Sequence, residues 1–220
     1  MKNYDVIIAG SGSAGLYAAI NLPSEMNILL LCKKELSLCN SALAQGGIAG
    51  VVSGSEFAGT LLGGEFAVGT NNGEFANGAL SGGEFAEKEM PDSITEHQKD
   101  TFLAGGFKNN PEAVEVLTEE AGDDIKRIIE LGVDFDKNAD GSYSLTLEGG
   151  HSHKRIFHKK DETGKEIVSK LQEYVLTLAN VTILQNTYLF DVKKTSTGFS
   201  VNTFSDKKTK DMKSYNTHNL

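Results

Sequence analysis

Residues 4–20 read YDVIIAGSGSAGLYAAI, and this segment is the most informative about the fold. The β-branched apolar run at 4–9 suits a strand buried on both faces, and residues 16–20 continue as a helix after the glycines. A second apolar run at 27–32 predicts another buried strand. Strand, glycine turn, helix and strand within about 30 residues form a βαβ unit with parallel strands.

The glycine turn has the spacing of a dinucleotide-binding fingerprint. Gly10 permits the tight turn, Gly12 lets the backbone approach a pyrophosphate, and Gly15 lets the helix close on the strand. Backbone N–H groups at the helix start, with the positive end of its dipole, then bind phosphate. The fingerprint therefore predicts a dinucleotide cofactor.

The residue that usually recognises the ribose is absent from this pattern. An acidic side chain commonly follows the second strand, but Cys32, Lys33 and Lys34 stand there instead. Taken alone, the two lysines leave open an NADP-type site in which they bind a 2′-phosphate.

The loop at 40–48, NSALAQGGI, supplies a serine, a glutamine amide and paired glycines. Small donors and close backbone access suit a flat, hydrogen-bonding ring system. With the glycine fingerprint, this loop resembles the flavoprotein family of succinate dehydrogenase, fumarate reductase and L-aspartate oxidase. The alternation of strands and helices, with this resemblance, predicts an α/β fold: a truncated, FAD-binding, Rossmann-like, doubly wound parallel sheet with a small antiparallel addition.

The resemblance implies a set of FAD contacts in the two glycine-containing loops and after the second strand. These are Gly10, Ser11, Gly12, Ser13, Ala14, Gly15, Lys33, Asn40, Ser41, Ala42, Leu43, Ala44, Gln45, Gly46 and Gly47. Succinate dehydrogenases attach FAD covalently through a histidine at the position of Asn40, so the resemblance implies non-covalent FAD here. Cys32 departs from the serine that is usual in the family.

A second motif, EGGHSHKRIFH, occupies residues 148–158. Its three histidines allow a metal site or a surface loop as alternatives, but no cysteine or carboxylate pair completes a metal shell, and we predict no metal. With the sequence DETG at 161–164, the motif resembles the aspartate oxidases within the family. Their glutamate matching Glu148 lies near the substrate, where a carboxylate pairs with an ammonium group and favours an amino acid over a plain dicarboxylate.

The resemblance implies FAD-dependent oxidation of L-aspartate to iminoaspartate, with oxygen or fumarate as acceptor. This is the first step of NAD biosynthesis, and a downstream quinolinate-forming enzyme is the expected partner. The family also uses a capping domain, so we expect this chain to be an incomplete, inactive fragment. Two alternatives remain: a fragment of a soluble fumarate reductase, and a non-enzymatic truncated product.

The chain divides into four segments. Residues 1–52 form the βαβ unit and the loop at 40–48, which we call the flavin loop. Residues 91–204 continue the FAD-binding domain. Between them, SEFA at 55–58 is followed by GEFA at 64–67, 73–76 and 83–86, which we interpret as a mobile repeat insertion at 53–90 rather than a small ordered repeat. In 91–204 we predict helices near 93–104, from Pro111 with a break near Gly122, and at 162–178. Residues 205–220 read as a frayed polar tail.

Composition excludes some functions. The formal net charge is −9 at pH 7, so no global positive field attracts nucleic acid. The sequence has no run of about 18 apolar residues and no signal-peptide pattern, which predicts a cytoplasmic protein without a membrane span. Cys32 and Cys39 are expected to be free thiols.

Overall fold

The computed structural model describes residues 2–52, 91–205 and 212–219. In chain order its elements are β1 (Lys2–Ala9), α1 (Ser13–Asn21), β2 (Ile28–Leu31), a 3-10 helix (Asn40–Leu43), β3 (Ile48–Ala49), α2 (Ile94–Ala104), α3 (Pro111–Glu130), β4 (Leu145–Thr146), β5 (Ile156–Phe157), α4 (Thr163–Val175), β6 (Val181–Leu184), β7 (Tyr188–Thr195), β8 (Gly198–Phe204) and β9 (Met212–Asn219). The repeat insertion predicted at 53–90 lies outside the described residues. Of the described helices, none has the length and apolar character needed to cross a membrane.

The main sheet has six strands in the order β6-β2-β1-β9-β8-β7. The pairs β6–β2, β2–β1 and β1–β9 are parallel, whereas β9–β8 and β8–β7 are antiparallel. This arrangement confirms the predicted α/β fold with a mostly parallel sheet and an antiparallel addition.

The strand β2 is buried on both faces, as its sequence predicts. Leu30 packs with Leu16 of α1 on the face that the helices cover. Leu29 and Leu31 pack with Ile7 on the opposite face, because successive side chains of a strand point in opposite directions. Fully burying a leucine contributes about 2 kcal/mol, so this strand anchors both layers.

A second, three-stranded sheet has the order β3-β5-β4. Ile48 pairs with Phe157 in β5, and Leu145 of β4 pairs with the same residue from the other side. The ring of Phe157 packs with those of Phe135 and Tyr143, and the three centroids lie 5.5–6.5 Å apart. This sheet joins the end of the flavin loop to the end of the 148–158 motif.

Helix α3 corrects one prediction. The break expected near Gly122 is wrong, because the helix runs without interruption from Pro111 to Glu130. Gly122 is instead a packing position: a Cβ atom there would lie 2.4 Å from the carbonyl oxygen of Val51. The start of the helix was predicted correctly, with Pro111 in its first turn and the Asn110 side chain accepting the Ala113 N–H at 3.3 Å.

Strand β9 corrects a second prediction. The tail at 205–220 was expected to lack regular structure, but residues 212–219 pair with β8 and with β1. Tyr215 and Thr217 are buried on one face, and the Thr217 hydroxyl donates to the Asp5 carbonyl oxygen at 2.9 Å. Because this strand buries hydroxyl-bearing rather than aliphatic side chains, its polar composition concealed the period-2 alternation.

Candidate functional site

The glycine fingerprint forms a tight turn between β1 and α1. The Gly10 N–H donates to the Leu31 carbonyl oxygen at 2.9 Å, and Gly10 has a φ of 123°, which favours glycine. A Cβ atom on Gly15 would lie 2.1 Å from the Gly10 carbonyl oxygen. Only a residue without a side chain therefore fits at Gly15 while the turn keeps this shape.

The N-terminus of α1 has the character of an anion site. Its N-cap, Gly12, makes no side-chain cap bond, and the first turn contains no acidic residue. The Ser13 N–H donates to the Ser41 hydroxyl at 3.2 Å. A helix start without a carboxylate cap leaves its positive end and its amide groups available to a phosphate, so the residues present fit a dinucleotide.

The flavin loop packs on the fingerprint through Ser41. The Ser41 hydroxyl also lies 3.2 Å from the Ser13 hydroxyl, and a Cβ atom on Gly12 would lie 3.0 Å from the Ser41 Oγ. The structure thus brings Gly12, Ser13 and Ser41 together.

Other members of the flavin loop line an open cleft. Its volume is about 530 Å³, and it opens between the loop and the start of α4. The lining residues are Ala42, Leu43, Ala44, Gln45, Lys160, Asp161, Glu162 and Lys165. Leu43 is 76 % exposed, so the loop presents an uncovered apolar side chain here. Asn40 is also exposed.

Lys33 lies at the carboxyl end of β2, on the same sheet edge as the glycine turn. It is exposed, and its ammonium group lies 5.8 Å from the ring centroid of Tyr188. The preceding residue, Cys32, is buried, and this burial raises the pKa of its thiol. Lys33 thus remains available to a cofactor, whereas the Cys32 side chain faces the protein.

Glu148 lies against the flavin loop. Its Oε2 atom is 3.5 Å from the position that a Cβ atom would take on Gly46. The His151 N–H donates to the Glu148 carbonyl oxygen at 3.1 Å, and Gly150 has a φ of 86°, so residues 148–151 form a hydrogen-bonded turn. The turn presents an exposed carboxylate beside the loop that the sequence assigned to the flavin.

Arg155 organises the rest of the 148–158 motif, a role that the sequence did not reveal. This side chain is 1 % exposed and bonds both carboxylate oxygens of Asp92, Nε to Oδ2 at 2.8 Å and Nη2 to Oδ1 at 2.6 Å. Its Nη1 atom donates to Asp100 at 2.6 Å and to Nδ1 of His151 at 3.0 Å. Asp92 immediately precedes Ser93, which caps α2 by accepting the Glu96 N–H.

The charges in this cluster depend on one another. Burial raises the pKa of Asp100, but hydrogen bonds from Arg155 and Ser152 outweigh it and lower the pKa to about 2. Burial, together with the positive charge of Arg155, lowers the pKa of His97. Asp100 is therefore ionised and His97 neutral at physiological pH, which leaves the guanidinium between two carboxylates.

Two of the three histidines of the motif, His151 and His153, lie within hydrogen-bond distance of Arg155, at 3.0 and 3.5 Å. His151 bonds Arg155, and His153 lies 2.9 Å from the Ser152 hydroxyl. His158 lies 3.4 Å from Asp136. Within the described ranges, no group of three or more histidine, cysteine, aspartate and glutamate side chains could hold a metal ion.

Comparison with known proteins gives the family. Residues 5–61 and 64–217 match the family model described as FAD binding domain. The L-aspartate oxidase of Clostridium perfringens is 35 % identical over 188 residues, which are 86 % of this chain and 34 % of that protein. That of Acinetobacter baylyi is 31 % identical over 190 residues, 86 % of this chain and 28 % of the relative. This chain thus spans about a third of the length of the curated relatives it matches.

Solved structures share the fold. The quinol fumarate reductase of E. coli superposes with a TM-score of 0.76 and 18 % identity, over 99 % of this chain and 32 % of that one. The Sdh1 complex of Mycobacterium smegmatis gives 0.74 and 22 %, over 98 % and 33 %. The family resemblance in the sequence is confirmed. The chain belongs to the FAD binding domain family, as a flavoprotein domain related to L-aspartate oxidase with FAD as its cofactor.

Proposed function

We propose that this chain forms the FAD-binding part of an enzyme that oxidises L-aspartate to iminoaspartate. The observation that carries the proposal is the position of the Glu148 carboxylate, next to Gly46 of the flavin loop. The 31–35 % identity to L-aspartate oxidases supports the same reaction, and the soluble fumarate reductase alternative has no comparable support.

The cofactor would be held by the residues that the sequence assigned to it. Amide groups at the start of α1 bind the pyrophosphate, Lys33 lies at the sheet edge for the adenosine half, and the loop at 40–47 holds the flavin ring. Asn40 has an amide rather than an imidazole, so it cannot form the covalent flavin link of succinate dehydrogenases. We therefore propose that FAD binds non-covalently.

Glu148 would distinguish the substrate. FAD, when bound, accepts a hydride from the substrate α-carbon. Glu148 pairs with the ammonium group of aspartate, whereas a plain dicarboxylate such as succinate places no positive charge there. The Glu148 carboxylate would repel a ligand that carries only carboxylates, so this residue favours the amino acid.

The proposal includes the biological setting. Oxygen or fumarate would be the electron acceptor, and iminoaspartate would pass to a quinolinate-forming enzyme in the cytoplasm. The oxidation of aspartate would thus be the first step of NAD biosynthesis. Further substrate groups would come from beyond this chain, which spans about a third of its relatives.

The test begins with the full 220-residue chain mixed with FAD and passed through gel filtration. We expect a yellow protein whose flavin is released by acid. Aspartate and succinate are then titrated while the visible spectrum of the bound flavin is recorded. Glu148→Gln should weaken aspartate binding by about tenfold or more and leave succinate binding unchanged or stronger.

The matched control is Glu120→Gln, which changes an exposed glutamate on α3, outside the flavin loop and the 148–158 motif. It should alter neither titration. A chain that retains no flavin, or a Glu148→Gln variant that binds aspartate as the parent does, would refute the proposal.

A further inference from the structure

Arg155 determines which nitrogen of His151 carries the proton. An arginine side chain can only donate hydrogen bonds. Its Nη1 atom lies 3.0 Å from Nδ1 of His151, so that nitrogen must accept. The His151 ring is therefore neutral, with its proton on Nε2.

The guanidinium cannot easily turn away from this contact. Asp92 binds it from one side through both carboxylate oxygens, and Asp100 binds Nη1 at 2.6 Å. Bidentate, charge-assisted bonds of this kind fix the plane of the group. Because Arg155 is 1 % exposed, water has little access to replace any of these partners.

The second ring nitrogen of His151, Nε2, makes no hydrogen bond to another residue among those that the structure describes. Its backbone N–H closes the turn that begins at Glu148, so the two side chains belong to the two ends of one turn. The neighbouring ring of His97 lies 5.6 Å away between centroids, and its Nδ1 atom is buried without a hydrogen bond. The Nε2–H of His151 is thus a free donor on the turn that carries the substrate-facing carboxylate.

We propose that Arg155 is a positioning residue that holds His151 as an Nε2–H donor, and that this donor binds a carboxylate of the same ligand whose ammonium group pairs with Glu148. The inference rests on the proposed function. The turn then offers the Glu148 carboxylate as an acceptor and the His151 Nε2–H as a donor. This pair matches an amino dicarboxylate, which carries both an ammonium group and carboxylates, better than a ligand of single charge. A neutral imidazole donates here without a positive charge that would weaken the neighbouring Glu148–ammonium pair.

The tautomer can be measured directly. In the FAD-loaded full chain with ¹⁵N-labelled histidine, two-dimensional NMR distinguishes Nε2–H, Nδ1–H and doubly protonated rings, and His151→Gln assigns the signal. We expect a single Nε2–H form in the parent. Arg155→Lys keeps the positive charge but loses the planar guanidinium with its several N–H donors, and should give a mixture of His151 tautomers. If that variant does not fold, Asp92→Asn, which loosens the guanidinium, should shift the signal in the same direction.

A second arm tests the ligand. Asparagine places its amide near the position of Nδ1 and glutamine near Nε2, so His151→Asn should weaken aspartate binding by about tenfold while His151→Gln largely retains it. A mixture of tautomers in the parent chain would overturn the role of Arg155. Equal aspartate affinity in the parent and His151→Asn would overturn the donor role, even where Glu148→Gln still weakens binding. Loss of flavin retention would instead refute the proposed function.

Discussion

The backbone N–H of Gly164 donates to the carbonyl oxygen of Ala44 at 3.0 Å, which attaches the first turn of α4 to the flavin loop. A Cβ atom on Gly164 would lie 2.0 Å from the Ser41 carbonyl oxygen. The loop can therefore keep this position only because residue 164 lacks a side chain.

Gly164→Ala should consequently displace the flavin loop. We expect a loss of stability of about 1–3 kcal/mol from the backbone clash, and a large loss of FAD retention. Urea denaturation and flavin absorbance after gel filtration measure the two effects. The matched control is Gly149→Ala, where no atom lies within 4 Å of the added carbon. Similar behaviour of the two variants would contradict the packing argument.

Gly15→Ala gives a test in which two effects have opposite signs. Helix propensity alone would make alanine more stable than glycine inside α1 by about 1 kcal/mol. The Gly10 carbonyl oxygen, 2.1 Å from the new carbon, reverses this expectation. We predict a lower Tm, and we expect that FAD no longer quenches the tyrosine fluorescence of the variant. A higher Tm would show that the turn adapts to the added carbon. The control Ala18→Ser, at an exposed position of α1 outside the glycine turn, should retain FAD.

Tyr17 predicts an alkaline loss of stability. Burial, and next the hydrogen bond from its hydroxyl to Asp124 at 2.6 Å, raise the pKa of Tyr17 to about 12. Since the folded state holds this proton more tightly than the unfolded state, the contribution is complete below pH 10 and is lost between about pH 10 and pH 12.

Tyr17→Phe should lower the free energy of unfolding by about 1 kcal/mol at neutral pH and flatten the decline above pH 10. Urea denaturation at a series of pH values measures both effects. Tyr174→Phe, on helix α4, should leave the alkaline decline unchanged. If the free energy of unfolding of Tyr17→Phe declines above pH 10 as it does in the parent, groups other than Tyr17 cause the alkaline loss of stability.

Asp100 predicts a loss of stability in acid. Its pKa of about 2 lies below the ordinary value of 3.8, so its contribution is present above about pH 4 and is lost as the pH falls towards 2. Asp100→Asn should cost about 3 kcal/mol at neutral pH, because it removes one partner of the buried guanidinium, and should weaken the acid dependence. Asp123→Asn is the control, since that side chain is 89 % exposed, and its effect should stay below about 0.5 kcal/mol.

Local patterns account for the parts of this fold that the sequence predicted. The β1-α1-β2 unit and the starts of α2 and α3 depend on neighbouring residues, so spacing and residue type were sufficient. Strand β9 was missed because its buried side chains are Tyr215 and Thr217, which look polar in a lysine-rich stretch. The prediction at Gly122 was wrong because the residue type alone does not distinguish a glycine required by close packing from a glycine that ends a helix.

The candidate site shows the same division. The sequence predicted roles for the fingerprint, the flavin loop and Glu148 by motif and resemblance, and the structure places Gly12 next to Ser41 and Gly46 next to Glu148. The sequence did not reveal that Arg155 bonds Asp92 and Asp100, which lie 63 and 55 residues earlier in the chain. Long-range ion pairs leave no periodic trace, so only the fold could reveal this cluster.

One residue holds the chain on both sides of the repeat. The carbonyl oxygen of Arg155 accepts the Gly50 N–H at 3.1 Å, and its guanidinium bonds Asp92. The two attachments differ in kind, because Gly50 is held by the Arg155 backbone and Asp92 by its side chain. A substitution of Arg155 therefore releases Asp92 while the hydrogen bond to Gly50 can persist.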